Sequence, residues 1–344
     1  MRILMVNHEF TITGASLTFL RLAVHLQGEG HELSIFPANP APGPIQARFL
    51  ALGLPITTTA PVADYDFLIA NTICTGNFII HAAGQIKSLW IIHESEVGLA
   101  VLARTPALGA AFRAATVIAF IMPFQHDLFR SYLHGLDPRK FHTIPNGIEI
   151  AANGIAHDLV PPKHKPWRIL QVGTVEPRKR TEDVIQAVAL SGLDAECIIC
   201  GKIFVLGEEA TAIAAHNPAA YRLLGETSEM ETLAWIASAD IIVHASASET
   251  QPLAVFEAAA LARPLLLTDL PCYRDVFTHG REALMFPVGH VELLAHSINI
   301  LANSRTMRKA LGAAASRAVR TYTNAACYAR YDLAVTQARE AVLF

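Results

Sequence analysis

The sequence predicts an α/β chain folded as two doubly wound halves, and three observations point there. The first is an echo. Residues 2–6 read RILMV and residues 168–172 read RILQV, each a short apolar run that enters a loop and then a helical pattern. The second is the alternation of strand-length apolar runs with helical stretches, the mark of βαβ units in parallel sheets. The third is composition: apolar residues make up 52% of the 344 residues and charged residues 17%. Such an excess is expected when strands are buried on both faces.

Each element follows in order. After RILMV comes the loop from Asn7 to Gly14, then ASLTFLRLAVHLQGEG, where Leu17, Leu20, Ala23, Val24 and Leu26 keep helical spacing. Gly28 and Gly30 mark the stop. Further strands are expected at 32–36, 66–70, 88–92, 116–121 and 141–144. After RILQV comes the loop from Gly173 to Arg180, then TEDVIQAVALSG, with Thr181 as the expected N-cap and Gly192 as the stop. Strands are expected again at 195–200, 221–225, 240–245, 264–268 and 283–286. The expected organisation is a first domain over 1–155, a proline-rich linker over 156–166, a second domain over 167–320 and a tail over 321–344. The tail belongs to an Ala-rich helical stretch from Val291, part of which is expected to pack back on the first domain.

Several function classes are set aside at this level. A formal charge of -3 gives no polyelectrolyte signal, so nucleic acid is not an expected partner. The opening MRILMVNHEF lacks the regions of a signal peptide. The uncharged segment 67–86 holds Asn71, Thr72, Asn77, His81 and Gln85, which make it a poor membrane span. The expected location is cytoplasmic. Aromatic and basic residues in 124–141 leave room for peripheral contact with the inner face of a membrane, although a solvated helix is the plainer reading. Of the five cysteines, only Cys197 and Cys200 have metal-like spacing. They lie in the apolar run AECIICG, where positions three apart face opposite ways, so buried thiols are expected. Asp64-Tyr65-Asp66 fits a metal-binding D-x-D pattern but precedes its strand, at the wrong edge for a ligand. No metal and no cofactor are expected.

The chemistry concentrates in residues 240–268, DIIVHASASETQPLAVFEAAALARPLLLT. A strand ends near Ala245, a loop carries Glu249, and Pro252 opens a helix, which leaves the amides of Leu253 and Ala254 free to meet a phosphate. Glu257 lies further along that helix, separated from Glu249 by seven residues. A carboxylate there suits ribose hydroxyls better than phosphate oxygens. The matching loop after the echo strand, VGTVEPRKR (172–180), carries Arg178, Lys179 and Arg180. A diphosphate leaving group needs such cations, and Lys179 is the expected phosphate ligand. In the first half, His93 follows the apolar run LWII at a strand's carboxyl end, and His8 and Glu9 end the first strand similarly. His93 is a candidate binding residue, since such residues favour loops set on a rigid scaffold, and His8 and Glu9 are expected to face an acceptor.

These residues carry a resemblance. Glu249-x7-Glu257, the loop GTVEPRK, IPNGIE (144–149) and RPLLLTDLPCYRDVFTHGREALMFPVG (263–289) resemble the retaining family 4 glycosyltransferases of the GT-B fold. So do HEFTITGASLTFLRLA (8–23) and LWIIHESE (89–96). The resemblance implies two Rossmann-like domains facing a cleft. It implies that Glu257 binds the ribose, that Glu249 lies against the donor sugar, and that Gln251, Pro252, Leu253 and Ala254 line the sugar and diphosphate. Lys179 would hold the diphosphate, His93 would sit near the sugar and acceptor, and Gly14 would belong to a loop that closes over the phosphates. The backbone near Leu223 and Leu224 would meet the base. One departure matters: the family often has Arg after the glycine matched by Gly173, where this chain has Thr174, with Arg178 as a compensating cation.

The implied reaction is metal-independent, retaining transfer of a sugar from a nucleoside diphosphate sugar, UDP- or GDP-linked, to a glycan, lipid-linked or small-molecule acceptor. The alternatives are a nucleotide-sugar epimerase on the same scaffold and a non-catalytic module that binds nucleotide sugar.

Overall fold

The computed structural model describes residues 1–59, 61–149, 155, 157–160 and 162–341. The chain divides into two compact units. The first is Met1–Gly147 together with the C-terminal stretch from Thr323, and the second is Ile148–Tyr322. The linker expected at 156–166 includes residues 156 and 161, which lie outside the described residues, while His157–Leu159 form a short 3-10 turn.

The first unit holds one parallel sheet. Its strands are Arg2–Asn7 (β1), Glu32–Pro37 (β2), Phe67–Asn71 (β3), Lys87–Ile92 (β4), Val117–Phe120 (β5) and Phe141–Thr143 (β6), in the order β2-β1-β3-β4-β5-β6. The second unit holds another: Trp167–Val172 (β7), Ala195–Cys200 (β8), Tyr221–Gly225 (β9), Ile241–His244 (β10), Leu265–Thr268 (β11) and Leu284–Phe286 (β12), in the order β12-β11-β10-β7-β8-β9. Each expected strand is present, with ends within one residue of their expected places. They were legible because they are buried on both faces. Ile3 to Val6, Phe67 to Ala70, and Ile169 with Leu170 are without exposed surface.

The order of the second sheet places its reversal between β7 and β10. The first strand of the unit therefore lies beside the fourth, and the loops after both emerge at one point on the carboxyl edge. Open α/β sheets bind ligands at such a switch point. The echo strands β1 and β7 each head a sheet in sequence. Their neighbours differ: β1 lies between β2 and β3, whereas β7 lies between β8 and β10.

Two cores hold the layers. In the second unit, Val184 and Val188 of helix Thr181–Ser191 and Leu294, Ile298 and Leu301 of helix Val291–Asn303 pack with β7, β8, β10 and β11. In the first, Trp90, Phe112, Phe120 and Phe129 cluster with Leu4, Leu68 and Ile92. Each such side chain contributes about 1.5–3 kcal/mol when fully buried. Helix Asn324–Glu340 packs on β4 and β5 and so completes the first unit from the far end of the chain. It is held there by Asp332, 2.9 Å from His25 Nε2, and by Tyr328, stacked on the same imidazole.

Two local expectations are corrected. Thr181 is the first helical residue, not the cap. The cap position is Arg180, in left-handed backbone (φ 49, ψ 43), with its guanidinium gripping Asp183 at 2.6 and 3.0 Å. Pro252 stands in the cap position rather than inside the helix, which runs Leu253–Ala260. Cys197 and Cys200 are buried free thiols, and burial pushes both up to about 12. Asp66, half of the D-x-D pattern, accepts the Arg2 amide at 2.7 Å at the amino edge of β3.

Candidate functional site

At the switch point of the second unit, the loop after β7 meets the loop after β10. Pro177–Lys179 form a 3-10 turn, and the left-handed residue Arg180 then reverses the chain. The reversal sends Arg180 toward Asp183, while Lys179 stays buried. Lys179 Nζ donates to Glu249 Oε1 at 2.6 Å, although the two residues are 70 positions apart. Arg178 Nη1 lies 3.3 Å from that same oxygen and donates to the Ser248 carbonyl at 2.7 Å. The amide of Ala247 donates to the Arg178 carbonyl, which joins the two loops through the backbone as well.

Glu249 is buried, and burial alone would raise its pKa. Lys179 first, then His244 and Arg178, more than reverse that and hold the carboxyl down at about 2. It is therefore ionised throughout the physiological range. Arg178 Nη2 also donates to Glu176 Oε1 at 2.7 Å, so two cations, Lys179 and Arg178, meet two carboxylates, Glu249 and Glu176, and the cluster is close to neutral as it stands. The chain then enters helix Leu253–Ala260, whose first amides precede any intrahelical hydrogen bond and whose start carries partial positive charge. Glu257 is half-buried in that helix, and Gln251 is buried just before it.

The loops are pressed together by glycine. Gly173 (φ +144) donates to the Cys200 carbonyl at 2.8 Å, and a Cβ on Gly201 would stand 1.9 Å from the Gly173 oxygen. Gly201→Ala should thus displace the loop that carries Thr174 to Lys179. The expected result is about 1–3 kcal/mol of lost stability in thermal melts, together with weaker nucleotide binding by calorimetry. At the neighbouring edge strand, the β8–β9 register shifts between Ile199 and Cys200. Ile199 pairs with Leu223 and Cys200 with Gly225, so Leu224 stands opposite no residue. Bulges of this kind favour sites where the backbone must meet a ligand.

Sequence reasoning missed the pairing of Lys179 with Glu249, and it missed His244. That imidazole closes β10 in the otherwise apolar run DIIVH and lies 3.9 Å from Glu249 Oε1. Its Nδ1 meets the Tyr273 hydroxyl at 2.8 Å. A histidine ending an apolar strand was the available signal.

His93, His8, Glu9 and Gly14 belong to the first unit, at the carboxyl ends of its strands. His93 is half-buried, and burial lowers it to about 4, so it is neutral at physiological pH. Glu9 is half-buried and accepts from the Thr11 hydroxyl, and Asn7 Nδ2 donates to the Glu9 carbonyl at 2.7 Å. His8 is half-buried beside it. Gly14 opens helix Gly14–Gly28 behind the cap Thr13, and a Cβ there would meet nothing within 4 Å.

Glu94, also missed, organises this rim. It accepts the Ile73 amide at 2.9 Å, beside Thr72, whose positive φ of 78 is rare for a β-branched residue. That strained turn is held by Trp90 Nε1 on the Thr72 carbonyl at 2.8 Å. Gln125 Nε2 in turn donates to the Glu94 carbonyl at 2.8 Å. Burial pushes the Glu94 carboxyl up to about 7 from an ordinary 4.5, against the hydrogen bonds that favour its ionised form. A carboxyl raised on folding stabilises the fold fully below its unfolded value and loses that contribution as pH rises through 7. Glu94→Gln should therefore gain about 1–3 kcal/mol at pH 8, and the gain should vanish near pH 4.5 in a series of urea melts.

Among the described residues, no group of three His, Cys, Asp or Glu side chains lies close enough to hold a metal ion, and no helix is long and apolar enough to cross a membrane.

With this geometry in hand, comparison with known proteins places the second unit. Residues 157–318 match the family described as Glycosyl transferases group 1, so the chain carries a glycosyltransferase group 1 domain. It is 26% identical over 185 residues to a phosphatidyl-myo-inositol mannosyltransferase from Mycobacterium leprae, covering 52% of this chain and 49% of that protein. It is 23% identical over 234 residues to a D-inositol 3-phosphate glycosyltransferase from Jonesia denitrificans, covering 61% and 54%. The chain thus spans about half the length of the curated relatives it matches. Among solved structures, Anabaena Alr3699/HepE in complex with UDP and glucose superposes with a TM-score of 0.79 at 16% identity, over 98% of this chain and 99% of that one. Two parallel six-stranded sheets with flanking helices are the architecture of the GT-B glycosyltransferases, and this chain has it.

Proposed function

We propose that the protein is a retaining glycosyltransferase of family 4, which moves a sugar from a UDP- or GDP-linked donor to a hydroxyl of a glycan, lipid-linked or small-molecule acceptor. The observation that carries this reading is the meeting of Lys179, Arg178 and Glu249 at the second unit's switch point, directly before the start of helix Leu253–Ala260. Two cations whose carboxylate partners a diphosphate could replace, set beside a helix start, suit such a ligand. In this reading Lys179, Arg178 and the amides of Leu253 and Ala254 stabilise the leaving group, and Glu257 accepts the ribose hydroxyls. Glu249 and the segment Gln251–Pro252 border the sugar. Gly173 and Thr174 line the phosphates, and Leu223 and Leu224 offer backbone to the base. His93, with His8 and Glu9, serves the acceptor side, and Gly14 the phosphate side, from the first unit.

The acceptor oxygen bonds to the anomeric carbon on the face from which the phosphate leaves. The carbon–oxygen bond to phosphate breaks, and the acceptor's proton passes to the departing phosphate oxygen. No divalent ion enters this scheme. Support for a UDP-linked donor comes from the HepE structure, which contains UDP and glucose.

The test uses the purified full chain, a panel of UDP- and GDP-sugars, and chelator throughout. Nucleotide release and sugar transfer are expected to continue in chelator. Loss of all activity on metal removal, with recovery on adding a divalent ion, would overturn the metal-free route. Formation of an altered sugar nucleotide without any acceptor would instead identify an epimerase.

A further inference from the structure

The buried groups behind Lys179 imply a role for His244 that follows from where its ring proton sits. Tyr273 is buried, and among the described residues its hydroxyl has one partner, His244 Nδ1 at 2.8 Å, so the phenol proton finds an acceptor only there. Burial also pushes the phenol well above the ordinary range, which keeps that proton in place. Burial, with Lys179 adding to it, lowers His244 to about 3, so the ring is neutral and carries one proton. The Ser246 hydroxyl, 3.2 Å from the same nitrogen, can turn its proton elsewhere or toward the ring, and with Nδ1 accepting from the phenol the ring proton is on Nε2. Nε2 has no hydrogen-bond partner among the described residues, and Glu249 Oε1 lies 3.9 Å from it. The gap is too long for a hydrogen bond. It is short enough for a small side-chain movement to close.

Lys179 and Glu249 satisfy one another in the structure as it stands. If Lys179 turns to a diphosphate, as the proposed function requires, a buried carboxylate loses its nearest cation. Arg178 remains at 3.3 Å but already serves the Ser248 carbonyl and the Glu176 carboxylate, each at 2.7 Å. An ionised buried group needs a replacement donor. We propose that donor binding hands the Glu249 carboxylate from Lys179 to His244 Nε2–H, making His244 a positioning residue that keeps Glu249 in place during sugar transfer. Tyr273 sets the tautomer that makes the transfer of partners feasible. The proposal rests on Lys179 being the diphosphate ligand.

The experiment uses the full chain with UDP and GDP as probes. Calorimetry on the wild type and Lys179→Ala first tests the diphosphate reading, with affinity expected to fall about a hundredfold. NMR of the wild type with 15N-labelled histidine then follows the ring, assigned by the signal missing in His244→Gln. Adding the nucleotide that binds should leave Nε2 protonated and move its proton downfield as the bond to Glu249 forms. In donor hydrolysis, His244→Phe should lower kcat about tenfold, with little change in donor KM or melting temperature. His244→Gln, which offers an amide N–H near the same place, should recover to within about threefold of wild type. If neither nucleotide binds, or binding is indifferent to Lys179, the diphosphate reading and this proposal fall together. If Lys179 matters but the His244 ring is unmoved by nucleotide, the handover alone is overturned. Equal kcat losses in the Phe and Gln variants would also overturn it.

Discussion

Replacing Lys179 with alanine should reduce donor turnover by about 10²–10³, the usual loss when one group that stabilises a developing negative charge is removed. Stability should fall as well, because Glu249 stays buried with Arg178 at 3.3 Å and the neutral His244 ring at 3.9 Å from its Oε1 in place of a hydrogen-bonded cation. The sign of the pH dependence follows from the lowered pKa of that carboxyl. Its folded value of about 2 lies below the ordinary 4.5, so the stability it contributes is complete above 4.5 and is lost as pH falls toward 2. In Lys179→Ala the folded value must rise, and acid unfolding should begin at higher pH than in the wild type. Steady-state donor hydrolysis and acid melts followed by circular dichroism measure the two effects. Unchanged turnover in a folded variant would remove Lys179 from the chemistry.

The largest effect on stability alone is expected at Glu196. Its carboxylate lies 2.6 Å from Arg168 Nε, and both side chains are essentially without exposed surface. Arg168 also donates to Ser238 Oγ at 2.8 Å and lies over the Trp235 ring. Attraction between buried ions roughly offsets their desolvation, so the pair itself adds little. Removing one partner is different, since the other charge is then stranded. Glu196→Ala should cost about 3–5 kcal/mol in urea unfolding, whereas Arg168→Met with Glu196→Leu should recover most of that loss. Donor binding by any variant that remains folded should be retained, because the pair lies at the amino ends of β7 and β8, away from the carboxyl-edge loops.

The sheets were legible because parallel strands buried on both faces read as apolar runs of fixed length, as DFLIA and DIIVHA do. The individual elements of the second unit's site were legible for a related reason. A basic cluster after one strand and a proline-led helix after another are local patterns. What the chain did not disclose is that these two loops adjoin. Their contact depends on β7 lying beside β10, and alternation of strands and helices is compatible with other orders. The left-handed Arg180 was hidden because local preference favours glycine or asparagine there, while the Asp183 contacts hold the arginine in place. His244, Glu94 and Gln125 were hidden because a single polar residue next to an apolar run reveals nothing of its partners until tertiary packing supplies them. The β8–β9 bulge at Leu224 has no signature in YRLLG.

The return of helix Asn324–Glu340 to β4 and β5 makes the first unit discontinuous along the chain, whereas the second is a single stretch. During synthesis the amino-terminal part of a protein is normally free to fold first. Here the order is reversed for the finished article. The nascent first sheet must wait, with the surface that this helix covers still bare, until Asn324–Glu340 has been made, and the later-made unit is closed before it. Released chains truncated after Tyr322 should accordingly resist protease in the second unit while remaining open to it in the first.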